Sequence, residues 1–425
     1  MSFSVTFIQR FFSNYQAISK FYIAFSGGLD STVLLHTMHA TELPIHAVYV
    51  NHHLQKENDD WQHHCGQQCE RWNIPFTVLH AEIKQQPRQS LEELARNARY
   101  ELLTGLLGLN DALVTAHHQD DVAETILLQL LRGAGPQGLA GMPECKQLKM
   151  GLLLRPLLTI SRKQINDYAS EHHLDWIEDP SNQDNHFDRN FLRNDVIPKL
   201  CSRWPSAQQS IARSAQLHAE VSNCLNELAD IDLQQASTEQ TKILNIAALQ
   251  VLSRERLSNV LRYWIRAHQM RVPSRKILQH VIKDIVEKQE IETSPMQSWK
   301  EGEIRRYQNQ LYLLQPLSPH DPYQEICWKI DQPLYIESLG RTLMPEELNA
   351  MVLPTEVKEL MVRFRQGGER LKPIGQKQHR SLKKLLNDAE VPPWMRDRIP
   401  LLYHGDVLIS VLGYWNTAQV CENTA

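Results

Sequence analysis

The sequence lacks the marks of a secreted, membrane-spanning or disulfide-stabilised protein. Its 425 residues contain only seven cysteines, an odd and scattered set without a Cys-x-x-Cys pair, so a disulfide framework is not indicated. No apolar run is long enough to cross a bilayer. The first residues show no basic start, continuous apolar stretch or small-residue cleavage site, so no signal peptide is expected. We therefore expect a cytoplasmic protein without a membrane partner.

A strong charge of one sign is also missing, because the formal net charge is −4. This value disfavours a protein that binds nucleic acid over its whole surface. Basic residues are instead concentrated near the C-terminus, where residues 358–398 contain eleven Lys or Arg and five Asp or Glu. We call residues 358–398 the basic segment, and it is the candidate contact with a nucleic-acid backbone.

The common ATP-binding loop, G-x-x-x-x-G-K followed by Ser or Thr, is absent as well. Near the N-terminus, however, an apolar run over 21–25 is followed by Ser-Gly-Gly at 26–28 and a helical apolar pattern from Leu29. Glycines let an anion approach the main chain, and the start of a helix attracts negative charge. With the hydroxyls of Ser26, Ser31 and Thr32 as further donors, this strand, turn and helix are predicted to bind phosphate.

Strand-like and helical patterns alternate through the first part of the chain. Further β-type runs occur at 45–50, 76–80, 112–116 and 153–158, and a capping box at Ser90–Glu93 opens one of the intervening helices. This alternation predicts an α/β fold with a doubly wound parallel sheet. Ligands of such sheets bind beyond the carboxyl ends of the strands, where the phosphate loop would lie.

Three carboxylates follow the predicted strand at 112–116. Asp120 and Asp121 lie four and three residues before Glu124, so a helix starting here would place them on one face near its N-terminus. Two interpretations stay open. The acids are ordinary helix starters that complement the helix dipole, or they hold Mg²⁺ or receive a cationic amine beside the nucleotide loop.

Histidines and cysteines crowd one short segment, with His63 and His64 next to Cys65 and Cys69. A zinc site is one interpretation. The spacing of Cys65 and Cys69 is typical of one face of a helix and no Cys-x-x-Cys pair is present, so structural thiols and surface histidines are the favoured interpretation.

Several of these stretches resemble a known family. The hexapeptide at 26–31 resembles the SGGxDS loop of the N-type ATP pyrophosphatase, or PP-loop, superfamily. Residues 115–125, the Gly/Pro loop after Arg132, and the runs at 176–182 and 188–193 resemble the tRNA(Ile)-lysidine synthetase branch of that superfamily. One departure occurs at 51–53, where Asn-His-His stands in place of a pattern that usually ends in glycine.

The resemblance spans nearly the whole chain and implies its domain organisation. We expect a PP-loop ATP-binding catalytic domain at 1–205, a helical domain at 206–317, a linker at 318–350 and a small basic α+β domain at 351–425 that binds tRNA. In the last of these, Phe364 and Trp394 among the basic residues would contact bases or sugars. The oligomeric state is left open, with a homodimer as one alternative.

The resemblance also implies a reaction. A ligase of this kind uses ATP and Mg²⁺ to adenylate the C2 oxygen of the wobble cytidine of tRNA(Ile) with a CAU anticodon, releasing pyrophosphate. The ε-amine of free L-lysine then attacks C2 and expels AMP. Two alternatives are another PP-loop adenylating enzyme, acting in tRNA thiolation or small-acid amidation, and a non-catalytic RNA-binding protein. The lack of Cys-x-x-Cys weighs against thiolation.

The candidate site residues fall into three groups. ATP and pyrophosphate would be bound by Ser26, Gly27, Gly28, Leu29, Asp30 and Ser31, with Mg²⁺ held by Asp30. The lysine ammonium would be oriented, and its proton taken, by Asp120, Asp121 and Glu124. The α-phosphate or the lysine carboxylate would be bound by Arg99, Arg132 and Arg193.

Overall fold

The computed structural model describes residues 3–52, 58–81, 91–288, 294–348, 351 and 357–417. They fall into two compact units, one ending at Leu225 and the other beginning at Asn226. No helix in the described ranges has the length and apolar character needed to span a membrane. The predicted capping residue Ser90 and the departure at His53 lie outside these ranges.

The first unit is built on a six-stranded sheet. Its strands are β1 (Lys20–Ala24), β2 (Ile45–Asn51), β3 (Phe76–His80), β4 (Asp111–Val114), β5 (Cys145–Gln147) and β6 (Leu152–Leu154). Their order is β3-β2-β1-β4-β6-β5. All neighbouring pairs are parallel except β5 with β6, which confirms the predicted doubly wound sheet.

Ten helices accompany this sheet in the described residues. They are α1 (Val5–Phe12), α2 (Leu29–His39), α3 (Asn58–Arg71), α4 (Leu91–Gly105), α5 (Gln119–Leu131), α6 (Pro136–Leu139), α7 (Arg162–Glu171), α8 (Asp188–Phe191), α9 (Ile197–Arg203) and α10 (Ala207–Ala236). The predicted strand at 153–158 is shorter than expected, because β6 ends two residues before Pro156, which has no N–H to donate to a sheet.

Alternation along β1 explains why the sheet is covered on both faces. Phe21 and Ile23 pack in a core with α2, whereas Tyr22 and Ala24 face a second core that contains Tyr100 of α4. The strand is therefore apolar on both sides, as expected for a buried parallel strand. Its carboxyl end is held in the middle of the sheet, where the chain turns directly into α2.

The second unit is helical at first and becomes mostly antiparallel sheet. It adds α11 (Ile246–Gln250), α12 (Arg254–Ala267) and α13 (Arg275–His280), the last continuing into a π-helical turn, Val281–Val286. A four-stranded sheet that we did not predict accompanies these helices. Its strands are β7 (Ile243–Asn245), β8 (Met296–Trp299), β9 (Gly302–Tyr307) and β10 (Gln310–Leu314), in the order β7-β10-β9-β8.

The C-terminal part has the predicted α+β character, but three of its strands lie within residues 318–350, which we predicted to be a linker. Five antiparallel strands lie in the order β11-β14-β17-β18-β19, and two further strand pairs and two short helices complete it. These elements are β11 (Ile326–Lys329), β12 (Leu334–Ile336), β13 (Arg341–Leu343), β14 (Glu359–Arg363), β15 (Arg370–Leu371), β16 (Arg380–Ser381), α14 (Leu382–Asp388), α15 (Pro393–Arg396), β17 (Leu401–His404), β18 (Val407–Val411) and β19 (Trp415–Asn416).

Candidate active site

The turn between β1 and α2 requires glycine at its first position. Gly27 has a φ of +77°, which L side chains rarely adopt. A Cβ there would lie 2.7 Å from Ile177 Cδ1 and 2.8 Å from Cys65 Sγ. The backbone N–H of Ile177 donates to the Gly27 carbonyl at 2.8 Å. Ile177 and Cys65, which are distant in sequence, therefore pack against the loop and hold its conformation.

Gly28 meets a different constraint. It caps α2 with an ordinary φ of −74°, and a Cβ there would meet no described protein atom closer than Ser26 Oγ at 3.6 Å. The protein itself therefore does not demand glycine at this position. The missing side chain leaves room above the main chain, which is what a phosphate needs to approach the first amides of α2.

Hydroxyls within the loop are used partly to hold its shape. Ser31 Oγ donates to the Gly28 carbonyl at 3.0 Å and accepts from the Ser26 N–H at 3.3 Å. Thr32 Oγ1 donates to the Gly27 carbonyl at 3.3 Å, and Thr32 is fully buried. The prediction that Thr32 donates to the anion is therefore wrong, whereas Ser26 is exposed at the loop surface.

Asp30 lies in the first turn of α2 with an unused oxygen. Its Oδ1 is buried and has no hydrogen-bond partner. Its Oδ2 lies 3.6 Å from Nε2 of His118, a residue that is 1% exposed. A carboxylate oxygen held in this way is suited to a cation that arrives with the nucleotide, since Mg²⁺ is usually bound by one or two carboxylates and substrate phosphates.

His118 connects the loop to the start of α5. The ring atom Nδ1 of His118 accepts from the backbone N–H of Asp120 at 3.2 Å. The backbone N–H of His118 donates to Asp121 Oδ2 at 2.9 Å, and the two bonds form a capping box. The Nε2 atom lies 3.5 Å from Asp121 Oδ2. Burial would lower the pKa of His118, but Asp30, Asp121 and Asp120 together raise it above 6.5. His118 thus lies between the acidic first turns of α2 and α5.

Asp121 and Glu124 are neutralised by two arginines. Arg189 donates from Nε to Glu124 Oε2 at 2.7 Å and from Nη2 to Asp121 Oδ1 at 2.8 Å. Arg193 donates from Nε to Glu124 Oε1 at 2.6 Å and from Nη2 to Asp121 Oδ1 at 3.1 Å. Burial would raise the pKa of Asp121, but His118 and Arg189 hold it at about 2. We call these four residues the acid–arginine cluster.

The segment that supplies the arginines is folded by its own asparagines. Asn190 Nδ2 donates to the carbonyls of Ser181 and Asp184, both at 2.9 Å, and Asn194 Nδ2 donates to the Asn182 carbonyl at 3.1 Å. The two asparagines therefore hold the turn at 180–183, while the two arginines reach α5. This arrangement explains the spacing of the run at 188–193.

A cavity of about 300 Å³ opens beside this cluster. Asp120 is part of its wall. Its carboxylate accepts hydrogen bonds from two neutral donors, the Arg162 N–H at 3.1 Å and Gln208 Nε2 at 2.7 Å, and lies 3.9 Å from His118 Nδ1. The wall thus carries acidic and basic groups together. Its lining residues are Asp120, Glu124, Arg162, Arg193, Ile197, Pro198, Cys201 and Gln208.

The structure brings most of the predicted site residues together. Asp30, Asp120 and Asp121 lie around His118, and Asp120, Glu124 and Arg193 line the cavity. The other residues of the predicted loop lie in the same turn and helix start as Asp30. Arg132 does not join them, because it ends α5 after 13 helical residues, roughly 20 Å from the start of that helix. Arg99 lies in α4 at an exposed position.

Two residues of the site were not singled out from the sequence. His118 has no role in the sequence analysis, and its position before Asp120 and Asp121 was the available signal for a cap. Arg189 was visible as the first arginine of the run at 188–193, but its partners Asp121 and Glu124 lie 68 and 65 residues away. Such pairing leaves no local pattern.

The His/Cys segment forms part of the core. Cys65 and Cys69 are buried, and burial raises the pKa of both thiols, that of Cys69 to about 12. Across the described residues, no group of three His, Cys, Asp or Glu side chains is arranged to hold a metal ion. Cys65 instead packs beneath Gly27.

The basic segment differs from its expected role. Phe364 is 2% exposed and lies in the core of the C-terminal sheet, so the prediction that it contacts RNA is wrong. Trp394 packs edge-on against Tyr312 with ring centroids 5.2 Å apart. Lys383 and Lys384 of α14 are exposed.

Comparisons with known proteins match this architecture along the chain. Family models match as a PP-loop domain over residues 3–200, a TilS substrate binding domain over 244–312 and a TilS substrate C-terminal domain over 360–425. A tRNA(Ile)-lysidine synthase from Coxiella burnetii is 40% identical over 419 residues, covering 97% of this chain and 92% of the relative. Another, from Methylococcus capsulatus, is 39% identical over 408 residues, covering 93% and 91%.

Solved structures show weaker similarity. A U34-tRNA thiolase from Methanococcus maripaludis matches with a TM-score of 0.42 and 19% identity, covering 51% of this chain and 80% of that one. An NH3-dependent NAD synthetase from Campylobacter jejuni matches with a TM-score of 0.30 and 18% identity, covering 51% and 91%.

Proposed function

This chain belongs to the tRNA(Ile)-lysidine synthase family, and on that premise we propose that it joins free lysine to C2 of the wobble cytidine of a tRNA(Ile) with a CAU anticodon. It is a ligase that forms lysidine on tRNA(Ile) and uses ATP through its PP-loop domain. The adenylated tRNA intermediate, the use of free lysine and a cytoplasmic location are parts of the proposal.

One observation supports the proposal most directly. The phosphate loop and the acid–arginine cluster meet through a single imidazole, with Asp30 and Asp121 3.6 Å and 3.5 Å from His118 Nε2. In this proposal the nucleotide site and the amino-acid site would therefore be adjacent. An enzyme that first activates an oxygen with ATP and then uses an amine to attack the carbon that carries this oxygen needs this arrangement.

The loop would act on the leaving pyrophosphate. The first N–H groups of α2 have no acceptors within the helix, and the space above Gly28 gives a phosphate access to them. Charge on the pyrophosphate grows as its bond to the α-phosphate breaks, so donors fixed in advance stabilise the transition state. Transfer of AMP to the cytidine C2 oxygen then makes that oxygen a good leaving group.

Asp30 fits a Mg²⁺ ion that accompanies ATP. Its unpartnered Oδ1 supplies the hard oxygen ligand that this ion prefers. When bound, the ion would neutralise phosphate charge. Asp30 itself would position that charge at the start of α2.

The cavity suits the zwitterionic part and the ammonium of lysine. Arg162 and Arg193 can face a carboxylate, whereas Asp120 and Glu124 can face an amine. Glu124 already binds two guanidiniums, but the hydrogen-bond donors to Asp120 are neutral. We therefore assign Asp120 to orienting the ε-ammonium and accepting its proton, since only the neutral amine is nucleophilic.

A single assay tests the function. Purified protein is incubated with Mg–ATP, labelled lysine and one of two transcripts, tRNA(Ile) with a CAU anticodon or the methionine tRNA that shares it. We expect label on the isoleucine transcript only, with AMP and pyrophosphate released in step. A reaction without ATP and a transcript with cytidine 34 replaced are the controls. AMP formation without RNA would indicate small-acid amidation, and RNA binding without AMP would indicate a non-catalytic protein.

A further inference from the structure

A buried arginine in the first unit has no described counterion. Arg155 follows β6 and is 7% exposed. Its Nη1 donates to the Pro143 carbonyl at 2.7 Å, but its Nε is buried without a hydrogen-bond partner. Among the described arginines of this unit, those with a carboxylate partner are Arg71, Arg189 and Arg193, and Arg155 is not one of them. A buried charge with neither counterion nor a full set of acceptors is unfavourable unless an anion joins it.

The sheet places this arginine at the ligand-binding edge. Leu113 of β4 and Leu153 of β6 pack on the side of the sheet that Tyr100 of α4 covers. Because side chains alternate along a strand, Thr115 and Arg155, two residues further on, lie on that same side. Both follow the carboxyl ends of their strands, where open α/β sheets bind ligands.

Three more side chains, those of Tyr100, Arg96 and His117, lie near Arg155. Tyr100 lies close to the Arg155 side chain, and the Arg96 guanidinium lies over the Tyr100 ring, 5.4 Å from its centroid. His117 Nδ1 lies 2.9 Å from Thr115 Oγ1. We call Arg96, Tyr100, His117 and Arg155 the Arg155 cluster.

The electrostatics of the cluster agree with this geometry. Burial lowers the pKa of His117 to about 3. Asp121 opposes this effect, whereas the positive charges of Arg155, Arg189 and Arg96 add to it. His117 is therefore neutral at pH 7 and can give a hydrogen bond without needing a counterion. The cluster combines two permanent cations with neutral polar groups.

We propose that the Arg155 cluster binds one phosphate group of a reactant, on the side of the sheet covered by α4. Guanidinium forks match phosphate oxygens, and the free Nε of Arg155 and the half-buried Arg96 supply them. The inference rests on the proposed function, because the phosphate belongs either to the tRNA strand that carries the wobble cytidine or to ATP.

The test uses two variants and a matched control. R155K keeps the charge and removes the Nε donor, and R96Q removes a charge at a half-buried position. R71Q is the control, because Arg71 ends α3 at the opposite edge of the sheet and its side chain is 67% exposed. Full-length proteins are compared by thermal unfolding, by calorimetric titration of Mg–ATP, and by fluorescence anisotropy with an anticodon stem-loop over a salt series.

We expect R96Q and R155K to weaken the binding of one of the two ligands by about tenfold or more. R71Q should bind both ligands as the wild-type protein does. If the phosphate belongs to RNA, stem-loop binding weakens and the salt slope of R96Q falls by about 0.7. If it belongs to ATP, only Mg–ATP binding weakens.

Wild-type affinity for both ligands in folded R96Q and R155K would overturn the proposal, and R96Q alone decides the matter if R155K does not fold. The assay of lysidine formation by the wild-type protein is independent of these titrations. An active enzyme with unaffected variants contradicts the Arg155 cluster alone. An inactive enzyme whose variants still lose binding contradicts the proposed function alone.

Discussion

In the PP loop, residues 26–31, the donors that we propose for phosphate are backbone amides fixed by a turn and a helix start. In the basic segment, residues 358–398, the charges sit on long side chains that find partners within the fold. Arg363, Arg365 and Arg380 form ion pairs with Glu325, Asp397 and Asp388. Arg396 and Arg398 donate to backbone carbonyls.

This difference shows what each kind of sequence signal measures. Spacing in the loop specifies backbone geometry, which the structure keeps. A count of basic residues does not reveal how many of them bind other parts of the protein. In the basic segment the exposed lysines, with Lys383 and Lys384 adjacent on α14, are therefore the better candidates for RNA than the paired arginines.

We expect replacement of Asp30 to have a large effect on the reaction and none on RNA binding. Asp30→Ala removes the carboxylate with the unpartnered oxygen, and we expect ATP-dependent lysine transfer to be abolished while tRNA binding is kept. Label incorporation and filter binding measure the two properties. Asp60→Ala, at an exposed position of α3, is the control. Retained transfer in the Asp30 variant would refute its assignment.

The two glycines of the loop are expected to affect different properties when each is replaced by alanine. Gly28→Ala meets no close protein atom, so we expect normal stability with loss of Mg–ATP binding in calorimetry. Gly27→Ala has a positive φ and a 2.7 Å clash, so it should lose about 1–3 kcal/mol of folding free energy. Normal ATP affinity in the Gly28 variant would show that no phosphate approaches there.

Glu124→Gln tests whether the acid–arginine cluster contributes to stability. Glu124 is 1% exposed and binds both Arg189 and Arg193. Removing its charge leaves two partly buried guanidiniums with Asp121 as their remaining carboxylate partner, which we expect to cost about 3–5 kcal/mol. Chemical denaturation measures the change, with Glu70→Gln at an exposed position as control. An unchanged midpoint would mean that the pairs are not formed in solution.

The smallest expected effect lies in the basic segment. Replacing Lys383 and Lys384 with alanine should weaken tRNA binding and reduce the salt slope by about 0.7–0.9 for each phosphate that the lysines no longer neutralise. ATP binding should not change. Lys329→Ala, an exposed lysine of β11 outside the segment, is the control. An identical salt slope would place the RNA on another surface.

The sequence predicted those features that depend on neighbours in the chain. The alternation of strand and helix patterns predicted the parallel sheet, and the glycines at 27 and 28 predicted the loop. Both signals lie within short stretches of the chain. The pairing of Glu124 with Arg189 joins positions 65 residues apart, so no local pattern contains it. The strands β7 to β10 were missed because they are short and β9 carries Glu303, Arg305 and Arg306. Phe364 was misassigned because residue type alone does not reveal burial.

The hydrogen bond from Ile177 to Gly27 has a consequence for synthesis on the ribosome. One late stretch of polypeptide, from Ile177 to Arg193, both supports the glycine turn and neutralises the acids of α5. A nascent chain that has not emerged beyond Arg193 therefore has neither half of the centre in its final form. Fragments released early by stalled translation would consequently leave the cellular ATP pool untouched.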